Sequence, residues 1–239
     1  MEYLKLFDNK ENYLAYRDDK SSYIKPNVSL CDGNDTVYYN YPPPIIVYSY
    51  VDLTLPSGTL WVEQNVGAYK PSDYGLYFQW GDTSGYTADQ VGTGEGKKKF
   101  ASDWSDYKWG TYPNFSKYTT PNAKLDLEDD AAHVNMKGSW HIPTYEQCQE
   151  LFDNTTTAWT TSDGVSGMTF TSKKDISKSI FIPAAGFALN GSVLNSGSSG
   201  NVWAERVDSH YINYGLYFRL AQRSSGKRYN GYSIRGVIG

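Results

Sequence analysis

Hydrophobic and polar positions alternate most regularly in the C-terminal part of the chain, from residue 200 onward. Large apolar or aromatic residues occupy every second position there, and glycines mark the turns. This period is typical of strands with one buried face. It predicts an inward-pointing set of Tyr214, Leu216 and Phe218. The outward-pointing set is chemically mixed and consists of Asn213, Gly215, Tyr217 and Arg219. A binding face would have this mixture, and the alternative is an ordinary solvated strand face.

The first residues of the chain show a different pattern. Apolar residues at helical spacing predict a short helix over Lys10–Asp19, with Asp8 or Asn9 as its cap. Two strand-like segments at 26–30 and 36–39 then flank the turn residues 32–35 and predict a hairpin.

The stiff triplet Pro42-Pro43-Pro44 follows this hairpin. We place the main domain boundary there. Residues 1–44 then form a small N-terminal attachment segment, and residues 45–239 form the main domain.

The main domain begins with strand-like sequence. Residues 45–53 predict a long strand, the turn Pro56–Gly58 follows, and Leu60–Val62 predicts the returning strand. Ser72 and Asp73 predict the cap of a short helix that reaches Trp80. Residues 81–122 have little periodicity and predict a long structured loop region, held by a group of aromatic residues: Trp104, Tyr107, Trp109, Tyr112 and Phe115.

The best helix signal of the chain lies at Tyr145–Phe152. Thr144 and Gln147 have the spacing of a capping box at its start. One face of this helix carries apolar side chains, namely Tyr145, Cys148, Leu151 and Phe152. Three short strands are then predicted, at Trp159–Thr161, Gly167–Phe170 and Ser179–Pro183. Few helices, many short strands and long loops together predict the α+β class.

Composition restricts the class of function. The 239 residues carry a net charge of −4, which favours neither nucleic acid nor an acidic membrane surface as a partner. The 22 tyrosines, nine phenylalanines and seven tryptophans fit either an irregular fold packed with aromatic rings or a binding surface. Cys31 and Cys148 are interpreted as two lone thiols. The N-terminus lacks the apolar region of a signal peptide, and no apolar run has membrane-spanning length.

Candidate chemistry is sparse. Residues 92–98 suggest a phosphate-binding loop, but the spacing is one residue short and Lys98 replaces the magnesium-binding hydroxyl. His133, His141 and His210 lack partners at metal-ligand spacing, so no metal is expected, and His210 is a candidate surface contact. The acidic run 128–130 is interpreted as a helix N-terminus in preference to a calcium site. No nucleophile motif occurs, so we expect neither enzymatic activity nor a cofactor.

Several ordered motifs carry a family resemblance. They are Val51–Trp61, Asn65–Ala68, Tyr74-Gly75 with Phe78–Gly81, Asp129–Ala132, Trp140–Thr144, Ile180–Gly186, Gly200–Trp203 and Tyr232–Arg235. Over about residues 48–238 the chain resembles the major paralogous domain family of gut Bacteroidetes and their phages. That family is a branch of the C-type lectin fold related to formylglycine-generating enzymes. Residues 1–41 resemble the segment that precedes such domains in phage structural proteins.

The resemblance implies a C-type lectin fold with long structured loops. It does not imply catalysis or calcium-dependent sugar binding, because the cysteine pair of the enzymes and the sugar motifs Glu-Pro-Asn and Gln-Pro-Asp of the calcium-dependent lectins are missing. The chain is more similar to the variable proteins of diversity-generating retroelements, which display a mutable C-terminal face on this fold. Their mutagenesis cannot produce Lys, Glu, Gln, Met or Trp at asparagine codons, and residues 206–221 contain none of the five.

The expected function is therefore non-enzymatic ligand binding through this face, in a receptor-binding or tail-associated protein of a phage or prophage. Its ligand would be a protein or glycan receptor on a bacterial cell surface. The expected location is a virion or a cell surface, with residues 1–44 available for attachment to a larger particle. The alternative is a structural or adhesion module of fixed specificity. The expected ligand-binding residues are Arg206, Val207, Asp208, Ser209, His210, Tyr211, Asn213, Gly215, Tyr217, Arg219, Ala221, Arg223 and Ser224.

Overall fold

The computed structural model describes residues 27–29, 38–40, 46–219 and 222–239. Contacts divide the chain into two units, Met1–Val47 and Tyr48–Gly239. In the first unit, β1 (Asn27–Ser29) pairs antiparallel with β2 (Tyr38–Asn40), as the hairpin prediction requires. The predicted helix at Lys10–Asp19, the triplet Pro42–Pro44 and Cys31 lie outside the described residues.

The second unit combines short helices with several small sheets, which confirms the mixed α+β class. Its helices are α1 (Ala131–Met136) and α2 (Tyr145–Asn154), with 3-10 turns at Ala88–Gln90 and Leu127–Asp129. Its strands are β3 (Tyr50–Asp52), β4 (Leu60–Val62), β5 (Gly110–Thr111), β6 (Asn114–Phe115), β7 (Thr155–Ser162), β8 (Val165–Ser172), β9 (Ser179–Pro183), β10 (Phe187–Leu189), β11 (Ser192–Leu194), β12 (Asn201–Val207), β13 (Tyr214–Arg219), β14 (Gln222–Lys227) and β15 (Val237–Ile238). None of the described helices is long and apolar enough to cross a membrane.

Three antiparallel sheets organise this unit. Their strand orders are β15-β4-β3, β7-β8-β9 and β12-β13-β14, and the pairs β5-β6 and β10-β11 are separate ladders. The first sheet joins the two ends of the unit, because Val237 of β15 pairs with Trp61 of β4. Of the strand predicted over 45–53, the structure describes residues 46–53, and the ladder there covers Tyr50–Asp52.

The hydrophobic core lies on both faces of the sheet β12-β13-β14. On one face, Val202 and Phe218 belong to a buried cluster with Leu151 of α2. On the other face, Trp203 and Val207 belong to a second buried cluster with other aromatic residues. This sheet is therefore an interior layer.

Helix α2 begins where the sequence predicts. Thr144 accepts a hydrogen bond from the Gln147 amide at 3.0 Å, and the Gln147 side chain accepts one from the Thr144 amide at 2.9 Å. This capping box satisfies two amides that have no partner inside the helix. Cys148 and Leu151 are buried, and Tyr145 and Phe152 pack at the edge of the same cluster.

The short helix predicted to end at Trp80 is wrong. Tyr77 pairs in extended form with Tyr86, and Phe78 pairs with Tyr232. Both side chains are fully buried, so the segment crosses the interior and takes its backbone partners from distant parts of the chain. Ser72, the predicted cap, donates instead to Asp163 at 2.9 Å.

The long region 81–122 is ordered by aromatic packing, as predicted. The ring of Trp104 makes edge contacts with Tyr107, Phe115 and Tyr229 at centroid distances of 5.3, 5.0 and 4.7 Å. Trp109 contacts Tyr118 at 5.6 Å. These contacts replace the regular backbone pairing that the region mostly lacks.

Candidate ligand-binding surface

The inward half of the β13 prediction holds for two of three residues. Leu216 and Phe218 are buried, and the Phe218 ring contacts Trp61 and Phe152 at 6.2 and 5.7 Å. Tyr214 is half-buried, with the Lys227 ammonium 4.1 Å from its ring centre. This end of the strand therefore lies at the edge of the core.

The outward half needs correction at Gly215 and Tyr217, and the expected ligand-binding set needs correction at Val207. Gly215 is buried, and a Cβ there would lie 2.6 Å from Trp80 Cδ1. Val207 is fully buried opposite Gly215. Tyr217 is half-buried, with its ring 4.6 Å from that of Tyr232. The prediction assumed one solvated face, whereas this sheet has hydrophobic clusters on both.

The turn between β12 and β13 is exposed and ordered. Asp208 Oδ1 accepts from the amides of His210 and Tyr211 at 2.8 and 3.1 Å. Ser209 Oγ lies 2.8 Å from His210 Nδ1. Tyr211 is 63% exposed, the highest value among the large hydrophobic residues of β12, β13 and the turn between them. The carboxylate of Asp208 therefore shapes a turn that presents a serine, a histidine and a tyrosine to solvent.

Two arginines of the predicted set meet on the side of the sheet that faces α2. The guanidinium carbons of Arg206 and Arg223 lie 4.8 and 4.3 Å from the ring centre of Tyr145. Arg206 Nη1 also pairs with Glu146 Oε1 at 3.3 Å. The ring of Tyr145 thus makes cation–π contacts with two arginines, one from β12 and one from β14.

Sequence reasoning missed Tyr145 as a part of this surface. The register Phe218↔Arg223 puts Arg223 on the same face as Phe218, which is the face that α2 covers. The capping box does fix Tyr145 at the first turn of the helix. The packing of α2 against β12 and β13, which brings Tyr145 beside Arg223, is long-range and leaves no local sequence signal.

The far end of the hairpin is exposed at three predicted residues, Arg219, Arg223 and Ser224. Ser224 pairs across the ladder with Tyr217. Ala221 lies outside the described residues. Asn213 is half-buried, and its carbonyl oxygen accepts from the Arg228 amide at 3.2 Å.

A buried arginine, Arg228, connects the exposed turn to the interior of the domain by hydrogen bonds. Arg228 Nε donates to the Tyr107 hydroxyl at 2.8 Å, and its Nη1 donates to the carbonyls of Tyr118 and Ile212 at 3.0 and 2.9 Å. Its guanidinium carbon lies 4.4 Å from the ring centre of Phe115. Burial lowers the pKa of Arg228, while Tyr107 acts in the opposite direction. The side chain fixes the turn at Ile212 to the loop around Tyr107 and Tyr118.

The acidic segment near residue 128 is a network of ion pairs. Lys117 Nζ lies 2.6, 3.0 and 2.6 Å from carboxylate oxygens of Asp126, Glu128 and Asp129. An ammonium therefore occupies the point where these acids converge. Asp130 accepts from the His133 amide at 2.9 Å and caps α1, as the helix-terminus interpretation predicts.

The remaining chemical candidates serve the scaffold. His133 Nδ1 contacts the Trp140 carbonyl at 3.2 Å, and His141 Nδ1 contacts the Ile142 carbonyl at 2.9 Å. The loop 92–98 closes on itself through Gly92, whose amide donates to the Lys98 carbonyl at 3.0 Å. Burial raises the pKa of the Cys148 thiol, which disfavours the reactive thiolate.

Comparison with known proteins finds no family model, no curated protein and no solved structure that matches this chain. The candidate surface is therefore defined by its own geometry. It consists of the exposed turn Ser209–Tyr211, the exposed hairpin end with Arg219, Arg223 and Ser224, and the Arg206–Tyr145–Arg223 group.

Proposed function

We propose that this chain is a non-enzymatic ligand-binding display protein with a C-type lectin fold, of the kind carried by phages and diversified by a retroelement. The observation that carries the proposal is the contrast in burial along the strands β12, β13 and β14. Side chains of the turn and the hairpin end are exposed, whereas Val207, Gly215 and Phe218 between them are packed against two core clusters. Such a scaffold tolerates changes at its tips without loss of the fold.

The charge of this region indicates what it would bind. Residues 206–227 contain four cationic side chains and one carboxylate, in a chain whose net charge is −4. Arg219, Arg223 and Lys227 form no ion pair with any described carboxylate. Exposed Tyr, His and Arg are typical anchors of protein-binding surfaces. The ligand that fits is an acidic receptor surface, engaged by many copies on a particle.

The test is the pattern of sequence variation at the encoding locus. Isolates of the source should differ at Ser209, His210, Tyr211 and Arg223, and a template copy differing at adenines should lie near a reverse transcriptase gene. Val207 and Gly215 should be constant, because both are buried. Variation spread evenly over exposed and buried codons would contradict the proposal.

The second candidate is a structural or adhesion module of fixed specificity. The packing of Tyr217 between Trp203 and Tyr232 favours it, because this packing leaves fewer positions free to vary than a wholly solvated strand would. An invariant turn Ser209–Tyr211 in all isolates, with no template copy, would establish this alternative.

A further inference from the structure

A cleft of about 320 Å³ lies on another sheet, at the outer face of β7-β8-β9. Its volume is within the range of roughly 300–1,000 Å³ that small-molecule sites occupy. Hydroxyl side chains form most of its polar lining, and Glu63 is the charged residue among those that line it. The apolar part of the lining is Pro71, Ile180 and Phe181.

The aromatic ring that lines the cleft, Phe181, packs on a buried glycine. A Cβ at Gly167 would lie 2.5 Å from Phe181 Cζ, so the ring rests directly on the glycine backbone. Phe181 pairs with Thr169 across the ladder between β8 and β9. The ring is half-buried, which leaves part of it at the surface of the sheet.

The wall at Pro71 is held to the turn between β7 and β8. Lys70 Nζ pairs with Asp163 Oδ2 at 3.0 Å, and Ser72 Oγ donates to the same oxygen at 2.9 Å. Both neighbours of Pro71 are therefore tied to one carboxylate. The wall is in place before any ligand binds, which reduces the entropic cost of binding.

Another part of the lining, Glu63, is held by hydrogen bonds. Its carboxylate accepts a hydrogen bond from Ser49 Oγ, and its carbonyl oxygen accepts one from the buried guanidinium of Arg235. Burial lowers the pKa of Arg235 to about 9, and the nearby Glu63 acts in the opposite direction. Glu63 thus has a fixed backbone and one carboxylate oxygen that forms no hydrogen bond with the described residues.

The hydroxyls divide into paired and unpaired groups. Thr160 Oγ1 and Thr169 Oγ1 lie 2.6 Å apart and bond to each other. Within the described part of the chain, the hydroxyls of Thr161, Ser162 and Ser179 have no hydrogen-bond partner, although all three line the cleft. Each can both donate and accept.

We propose that this cleft binds a neutral polyhydroxylated ligand, one or two sugar rings in size. A sugar has hydroxyls for Thr161, Ser162 and Ser179 and an apolar face for Phe181. A single carboxylate provides too few oxygens for calcium, and it repels an anionic ligand. The cleft and the candidate contact surface lie on different sheets, so this proposal is independent of the proposed function.

The experiment uses the full chain and ligand-observed saturation-transfer NMR. The probes are glucose, galactose, mannose, N-acetylglucosamine and lactose, with the anionic glucuronic acid as the comparison ligand. We expect at least one neutral sugar to bind with a Kd on the order of 1 mM, as a shallow single site allows. We expect Glu63→Gln and Thr161→Val each to weaken this binding about tenfold, because each loses a hydrogen bond to the ligand.

Thr157→Val is the matched control, since Thr157 is an exposed threonine of the same strand that does not line the cleft. It should bind like the wild type. The absence of any neutral-sugar signal, stronger binding of glucuronic acid, or an equal loss in Thr157→Val would each overturn the proposal. If Glu63→Gln lowers the melting temperature, the comparison of Thr161→Val with Thr157→Val decides.

Discussion

Arg228 shows how one residue can position a binding turn without touching a ligand. Its side chain is fully buried, and in the described part of the chain its hydrogen-bond partners are a tyrosine hydroxyl and backbone carbonyls. Burying a cation without a carboxylate partner costs free energy unless its N–H groups are hydrogen-bonded. Here a tyrosine hydroxyl and backbone carbonyls accept these hydrogen bonds, and aromatic rings contact the guanidinium. The turn at Ile212 therefore depends on the loop that contains Tyr107 and Tyr118.

The first prediction is that Arg228→Met destabilises the domain by about 3 kcal/mol or more, because it leaves several buried acceptors without a donor. Urea unfolding followed by tryptophan fluorescence measures this change. Arg223→Met is the control, because Arg223 is exposed and lies over Tyr145. We expect it to cost less than about 1 kcal/mol. Equal losses for the two variants would refute the anchoring role of Arg228.

Among the elements, β13 is central to the unit. Its residues alternate between two core clusters, so Gly215 must leave room for the rings of Trp80 and Trp203. The need for glycine there is steric, since it arises from close approach of two fully buried tryptophans.

The second prediction is that Gly215→Ala destabilises the domain by about 1–3 kcal/mol, since the added methyl would overpack a filled core. Thermal unfolding monitored by near-ultraviolet circular dichroism measures the change. Ser224→Ala on the adjacent strand is the control, because Ser224 is exposed, and its melting temperature should match the wild type. A Gly215→Ala protein as stable as the Ser224→Ala protein would contradict this packing.

Local patterns in the sequence predict elements well where the stabilising contacts are themselves local. The capping box at Thr144 depends on residues three positions apart, and α2 begins as predicted. The segment at Tyr77 and Phe78 takes its partners from Tyr86 and Tyr232, and the helix predicted there is wrong. Gly215, predicted to face solvent, is buried for the same reason, since its partners are distant in the sequence. The alternation along β13 cannot show that a second hydrophobic cluster covers the other face of the sheet.

At the scale of the whole molecule, charge is unevenly distributed. The chain is acidic, with a sequence pI of about 5.4, yet one hairpin carries the exposed Arg219 and Arg223 and the half-buried Lys227. At 0.1 M salt, screening limits the range of interaction between exposed charges to about 10 Å. A surface close to this hairpin therefore interacts with the charges of the hairpin more strongly than with the distant charges of the protein. Association through it should therefore depend on local charge and on ionic strength.

The third prediction compares two double variants that remove the same net charge. On a carboxymethyl resin at pH 5, below the sequence pI of about 5.4, and with elution by a salt gradient, Arg219→Gln/Arg223→Gln should elute before the wild type, because it removes two cations of the hairpin. Lys174→Gln/Lys178→Gln removes two exposed cations elsewhere and should elute close to the wild type. Equal shifts for both double variants would mean that net charge governs the interaction. The hairpin would then have no special role in attracting an acidic surface, and the acidic-receptor part of the proposed function would fail with it.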